Sequence, residues 1–281
     1  MTSQLLRYAA FTRDPAGGNP AGVVLDSGDL ADADMQQLAA EVGYSETAFL
    51  TVPAADGTVG VRYFSPAAEV PFCGHATVAS AVAIAERTGQ RSLHFRTTIG
   101  EVSVEVRDSP SGREARLVSV ETSSSPIDDE ILGRLLTALR WSATDLDPTW
   151  PVHVAYAGNH HPILTTHSRA RLQDLDYDFD ALKALMIEQD WTTVNLLWWE
   201  SDSVVHSRNP FPVGGVVEDP ATGAAAAALG GYLIATQPPT SPRQLLIRQG
   251  EDLGRPSRLG LGLTPGSTRA VVSGTAVRIP D

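Results

Sequence analysis

An α/β (α+β) chain of two similar lobes is predicted, and three observations predict it. The 281 residues exceed a typical single domain, and their 42% hydrophobic content suffices for one large core or two ordinary ones. Strand-like runs alternate with helical ones along the chain. Two blocks also share one order: an extended run, a Pro- and Gly-punctuated turn, then an alanine-rich helix.

In chain order, residues 5–11 and 21–25 read as strands separated by the turn-forming Asp14-Pro15-Ala16-Gly17-Gly18-Asn19-Pro20. A helix follows, with Met35, Leu38, Ala39 and Val42 at helical spacing, Asp32 as its N-cap and Gly43 as a left-handed C-cap. Residues 45–52 and 59–64 return to strand. The first block then runs through the punctuated residues 65–72 and Cys73-Gly74-His75-Ala76-Thr77 into an alanine-rich helix, residues 78–87, closed by Gly89. The second block has a strand at 203–206, a Pro/Gly-rich run, Glu218-Asp219-Pro220-Ala221-Thr222-Gly223, and a helix to about Ile234. A helix of small apolar residues suits enclosure by a curved sheet, and the two blocks read as distant copies. The polar run Thr122-Ser123-Ser124-Ser125-Pro126 reads as a linker before a helix over 128–140, so the expected lobes are 1–121, to which a C-terminal strand can return, and 122–281. Short strands are expected at 244–248, 259–263, 270–273 and 275–279.

Charge and cysteine usage exclude several functions. Against 21 basic residues stand 33 acidic ones, a net charge of −12 that disfavours nucleic acid and anionic membrane partners. The single cysteine, Cys73, forbids an intrachain disulfide and fits a reducing cytoplasm. Arg7, Arg13 and Asp14 interrupt the start of the chain before a signal-like apolar run develops, and the longest apolar block, residues 223–235, is too short for a membrane span. A soluble cytoplasmic protein is expected.

The sharpest chemical feature is the pair of helix starts, Gly74-His75-Ala76-Thr77 and Ala221-Thr222-Gly223-Ala224. Each exposes backbone N–H donors and the positive end of a helix dipole, which together can hold a carboxylate. The plainer reading, that they only begin two buried helices, stays open. Glu46, in Tyr44-Ser45-Glu46-Thr47, is either a solvated strand residue or an acid/base. Asp219 is either a cap of the next helix or a site carboxylate. His75 lies where the dipole disfavours an imidazolium, leaving a neutral ring. His153, His160, His161 and His167 lack the paired spacing of a metal site, so no metal is expected. Gly17-Gly18-Asn19-Pro20 lacks the Lys-Ser/Thr of a phosphate loop and no Gly-x-Ser-x-Gly occurs, so neither a nucleotide cofactor nor a serine hydrolase is implied.

Taken together, Gly18-Asn19-Pro20-Ala21, Ser45-Glu46-Thr47-Ala48-Phe49, Pro71-Phe72-Cys73-Gly74-His75-Ala76-Thr77 and Glu218-Asp219-Pro220-Ala221-Thr222-Gly223 resemble the phenazine-biosynthesis (PhzF-like) isomerase family, in that family's order. Gln249-Gly250 and Gly254-Arg255-Pro256-Ser257 extend the resemblance nearly from end to end. It implies a fold similar to diaminopimelate epimerase, two lobes that each curl a mixed sheet around a central helix, with the site between them. It implies a cofactor-free isomerase, commonly a homodimer, acting on a small-molecule carboxylate. Glu46 would carry the proton between substrate carbons, with His75 and Asp219 assisting. Asn19, Ser45, Cys73, Gly74, Ala76, Thr77, Thr222, Gly223 and Ala224 would bind substrate. Two departures stand out: position 224 is Ala where the best-known members have serine, and Cys73 stands where some have alanine, at a place resembling the first catalytic cysteine of the epimerase relatives. A two-thiol racemase cannot be built from one cysteine. The competing readings are a one-cysteine racemase or epimerase of amino or hydroxy acids, and a metabolite-binding homologue without chemistry.

Overall fold

The structure, a computed structural model, describes residues 4–110 and 112–280, so the first three residues of the N-terminal stretch read against export lie outside it. The chain divides into two compact units, Met1–Val118 with Val272–Asp281, and Ser119–Val271.

In the first unit, β1 (Gln4–Ala10) and β2 (Asn19–Leu25) form a hairpin, and α1 (Asp32–Val42) crosses to β3 (Glu46–Leu50), which lies parallel to β2. Next come β4 (Thr58–Phe64), the two-residue β5 (Glu69–Val70), α2 (Gly74–Thr88), β6 (Ser92–Thr97), β7 (Gly100–Ser109) and β8 (Gly112–Val118). The chain's last strand, β17 (Val271–Arg278), pairs with both β1 and β8. Successive pairing β1–β2–β3–β4–β6–β7–β8–β17–β1 closes the sheet into a ring. α2 touches β1, β2, β3, β7 and β8, and every residue from Gly74 to Ala85 is buried. Alanine allows this: a helix with so little side-chain bulk lets strands approach on several sides.

The second unit repeats the plan. It contains β9 (Ser123–Pro126), α3 (Asp129–Leu139), the β10 (His153–Tyr156) and β11 (His160–Thr165) hairpin, α4 (Arg169–Gln173), α5 (Phe179–Glu188) and β12 (Asn195–Ser201) parallel to β11. Then follow β13 (Val204–Pro210), the two-residue β14 (Glu218–Asp219), α6 (Gly223–Thr236), β15 (Arg243–Gln249) parallel to β13, and β16 (Ser257–Leu263). Hairpin, parallel crossover, two-residue strand, buried helix and second parallel crossover therefore occur in the same order in both units. α6 is packed by β9, β10, β11 and β16, while α3 and α5 build a separate core with Leu135, Leu139, Leu182 and Met186.

Four expectations need correction. Residues 123–126 are not linker but β9, paired antiparallel with β10: serines that look like a spacer serve equally well at a half-exposed sheet margin. Residues 270–273 and 275–279 are not two strands but the one strand β17, because Gly274 makes no turn; a Cβ there would sit 2.3 Å from the Phe11 ring. The first central helix begins at Gly74, four residues before Val78, and α1 is preceded by Ala31 rather than capped by Asp32. β6 to β8 and α4 to β12 carry no expectation from the sequence.

Gly230 shows how tightly α6 is held. Alanine is the better helix former by about 1 kcal/mol, yet a Cβ at 230 would lie 2.5 Å from the Ala270 Cβ and 3.2 Å from Leu261. Gly230→Ala is therefore expected to destabilise the protein by about 1–3 kcal/mol in urea unfolding; a neutral or stabilising result would show that α6 is less confined.

Candidate active site

Both central helices begin without a capping side chain. Asp128, Ser168 and Asp178 cap α3, α4 and α5 through their side-chain oxygens, whereas Cys73 before α2 and Thr222 before α6 make no such bond. The first intrahelical bond of α2 runs from the Thr77 N–H to the Cys73 carbonyl, which leaves the N–H groups of Gly74, His75 and Ala76 without intrahelical acceptors.

Around the start of α2 the first unit gathers five of the expected residues. Gly18, at φ +63° with the Ala10 carbonyl 2.3 Å from where a Cβ would sit, turns the chain so that Asn19 opens β2 as a buried residue. Gly43, also left-handed, ends α1 and releases Ser45 and Glu46 into β3, where Glu46 registers with Ala21. The Asn19 amide donates to Nδ1 of His75 at 3.1 Å, so the proton of the neutral ring resides on Nε2, and there Oε2 of Glu46 lies 3.3 Å away. Ser45 Oγ is 3.4 Å from the same Nε2, and Cys73 Sγ lies 3.3 Å from Nδ1. Burial lowers the pKa of His75, opposed by the attraction of Glu46, so the ring is neutral at pH 7. The sequence anticipates the neutral form, but desolvation is the larger cause. Glu46 is only 9% exposed, so it is not the solvated strand residue of the plainer reading.

Thr77 is absorbed by the fold: its hydroxyl donates to the Cys73 carbonyl at 2.7 Å and meets the Tyr63 hydroxyl at 2.6 Å. Gly74 and Ala76 offer backbone alone. Glu46, Cys73 and His75 present ligand atoms within 4.8 Å of one another, the one such group among the described residues. In this tautomer Nε2 carries the proton and Nδ1 is occupied by the Asn19 amide, so a metal at the ring would have to displace one of them. The other histidines lie apart from this group: His153 meets Ser124, and the fully buried His161 meets Thr193 through Nδ1 while its Nε2 has no protein partner.

In the second unit, Asp219 ends β14, three residues before Thr222, the N-cap of α6. Thr222 Oγ1 donates to Asp219 Oδ2 at 2.6 Å, and Gln249 binds the same turn. The Thr222 N–H is taken by Gln249 Oε1 at 3.0 Å, so the α6 donors without intrahelical acceptors are those of Gly223, Ala224 and Ala225.

The ladders align the two sets residue for residue. Glu69 pairs with Phe64 as Glu218 pairs with Pro210, and two residues before each partner an arginine, Arg62 or Arg208, binds that glutamate through two nitrogens. In this alignment Thr222 takes the place of Cys73, Ala224 that of His75 and Asp219 that of Val70. Thr193 falls at the position of Glu46. Only the first unit therefore carries the Glu–Cys–His group. Sequence reasoning missed Arg208, Glu218 and the clamp of Gln249. The shared Arg, Glu, Pro and Gly order of 62–74 and 208–223 was the available signal.

The family model described as "Phenazine biosynthesis-like protein" matches residues 8–281. Over 277 residues the chain is 33% identical to trans-2,3-dihydro-3-hydroxyanthranilate isomerase of Pseudomonas chlororaphis, covering 95% of this chain and 94% of that protein. It is 31% identical to the uncharacterized isomerase YddE of Escherichia coli K12, covering 99% and 96%. Among solved structures, the phenazine biosynthesis protein of the PhzF family from Bacillus anthracis matches with a TM-score of 0.87 at 24% identity, over 100% of this chain and 98% of that one. A hydroxyproline epimerase from Agrobacterium vitis matches in fold, with a TM-score of 0.67 at 14% identity over 98% and 90%.

Burial holds His161 neutral and lowers its pKa from 6.5 to about 4. The unfolded chain binds that proton first as pH falls, so the contribution is intact above pH 6.5 and is lost towards pH 4, at most about 3 kcal/mol. Thermal unfolding of His161→Gln should depend less on pH across this window than that of the wild type. Equal slopes would contradict the assignment.

Proposed function

The chain belongs to the phenazine biosynthesis-like family and is an isomerase, and we propose that it works without a cofactor, moving a proton between carbons of a small carboxylate with Glu46 as acid/base. The observation that carries this is the Glu46–His75–Asn19 cluster, largely buried beside the uncapped start of α2. A base that removes a proton from carbon must hold it briefly and return it. Glu46 suits that task because the neutral His75 ring places Nε2 3.3 Å from its carboxylate without setting a full positive charge beside it.

The remaining roles follow from what each group can donate. The N–H groups at the start of α2, which have no intrahelical acceptor, are proposed to hold the substrate carboxylate and the negative charge that develops when the proton leaves; those at the start of α6 offer the same chemistry in the second unit. Asp219, held by Thr222, is proposed to orient the substrate or assist protonation. The name of the Pseudomonas relative's substrate, an anthranilate, supports a carboxylate-bearing ligand. Ala224, lacking the serine hydroxyl of the best-known members, points to a different member of that class. A cytoplasmic homodimer belongs to the same proposal: the lone cysteine supports the compartment, the family resemblance supports the dimer, and sedimentation reads the latter.

One observation favours a second reading, the racemase or epimerase with Cys73 as an additional base: Cys73 Sγ lies 3.3 Å from the His75 ring. A screen of small cyclic and amino carboxylates in deuterated water, read by mass spectrometry, separates the readings. The wild type should incorporate deuterium into at least one compound, and Glu46→Gln should slow this by about 10²–10⁴-fold with folding intact. Retained exchange in Glu46→Gln would refute the proposal. Cys73→Ser should exchange within about threefold of the wild type, well short of the roughly 10²–10⁴-fold loss expected for a general base; a loss comparable to that of Glu46→Gln would favour the racemase. Carboxylate binding with no exchange at all would favour a binding protein.

A further inference from the structure

Beyond the expected site residues, one buried side chain governs the second cluster. Gln249, the last residue of β15, is 2% exposed and makes three hydrogen bonds to the turn between β14 and α6. Its Nε2 donates to the Asp219 carbonyl at 2.8 Å and to Thr222 Oγ1 at 3.0 Å, while its Oε1 accepts from the Thr222 N–H at 3.0 Å. The three partners fix the amide's orientation. Turned over, it would set NH₂ against N–H and its carbonyl against a carbonyl.

We propose that Gln249 is a positioning residue that aims the Asp219 carboxylate, acting through the hydroxyl of Thr222; its part in turnover rests on the isomerase reading above. A hydroxyl has one proton. Because Thr222 Oγ1 accepts from Gln249, that proton goes to Asp219 Oδ2, 2.6 Å away. The amide thereby sets the hydroxyl's direction, and the hydroxyl holds Oδ2 of the carboxylate. The next residue reinforces the clamp: Gly250, at φ +74°, lets the Pro220 and Arg255 carbonyls come within 2.6 and 2.4 Å of where a Cβ would sit.

The first unit has no equivalent clamp. By ladder register Thr97 holds the place of Gln249, and its hydroxyl is spent on the Gly100 carbonyl. The place of Asp219 is taken there by Val70, which has no carboxylate to aim. The amide therefore accompanies the carboxylate, as expected of a positioning role and not of a general support for the fold.

Gln249→Glu tests this with little change of shape. It keeps an acceptor for the Thr222 N–H, removes both donors, and draws the Thr222 hydroxyl away from Asp219. The expected crystal structure shows the Asp219–Thr222 contact opened from 2.6 Å to beyond hydrogen-bond distance. On a substrate found by the exchange screen, kcat of the folded variant should fall about tenfold or more with a smaller change in KM. Thr222→Val should reproduce the loss of kcat, Thr222→Ser should recover most of it, and the double variant Gln249→Glu/Thr222→Val should be no worse than either single one. If Gln249→Glu does not fold, Thr222→Val carries the same measurements. An Asp219 that stays in place, or one that moves with kcat unchanged, overturns the proposal. If the wild type exchanges nothing, the isomerase reading fails and the Asp219 contact alone decides the positioning claim.

Discussion

Enclosing the start of a helix inside its own sheet forces three N–H groups to find partners where bulk water is scarce, and much of the chemistry of this protein is arranged around that constraint. α2 is buried from its first residue, and α6 is buried at Gly223 and again from Ala225. An unmet buried donor costs about 1–3 kcal/mol, so a side-chain cap such as Asp128 on α3 is the ordinary remedy. At α2 and α6 that remedy is absent, and the residues that would supply it, Cys73 and Thr222, are turned to other partners. The first N–H groups of both helices have no acceptor within their own helix, while small residues in both helices let the strands come close.

A frame shared by both units, carrying different side chains, accounts for much of the rest. In each unit an arginine two residues before the end of a strand binds a glutamate in a two-residue strand, and this ion pair anchors the turn that launches the central helix. Arg62 and Glu69 are partly exposed, whereas Arg208 and Glu218 are buried, where removing one partner would strand the other's charge. On this shared frame the units differ in chemistry. The first carries Glu46, Cys73 and His75 together; the second has Thr193, Thr222 and Ala224 in those places and carries its carboxylate at Asp219 instead. A glutamate beside a histidine is thus present in one unit and an aspartate whose carboxylate accepts from the Thr222 hydroxyl in the other.

Much of this was legible in the residues. Gly43 as a left-handed stop, the two alanine-rich helices and the Cys73–Thr77 and Ala221–Ala224 starts all rest on local steric rules, and local rules read well from sequence. The serines at 123–126 were misread because a polar run cannot reveal that a partner strand waits at 153–156. Arg208 with Glu218, and Gln249 with Asp219 and Thr222, escaped notice for the same reason: each bond joins residues brought together by the fold, and Gln249 lies 30 residues from Asp219. Glu46 was chosen by resemblance, and its burial beside His75 is the physical ground for that choice.

The central claim is that Asn19 makes Nδ1 of His75 an acceptor, leaving a neutral ring whose Nε2–H orients Glu46. Nitrogen-15 spectra of the His75 ring at pH 7 test it most directly. A protonated Nε2 with a bare Nδ1 is predicted; a proton on Nδ1, or on both nitrogens, would contradict the account.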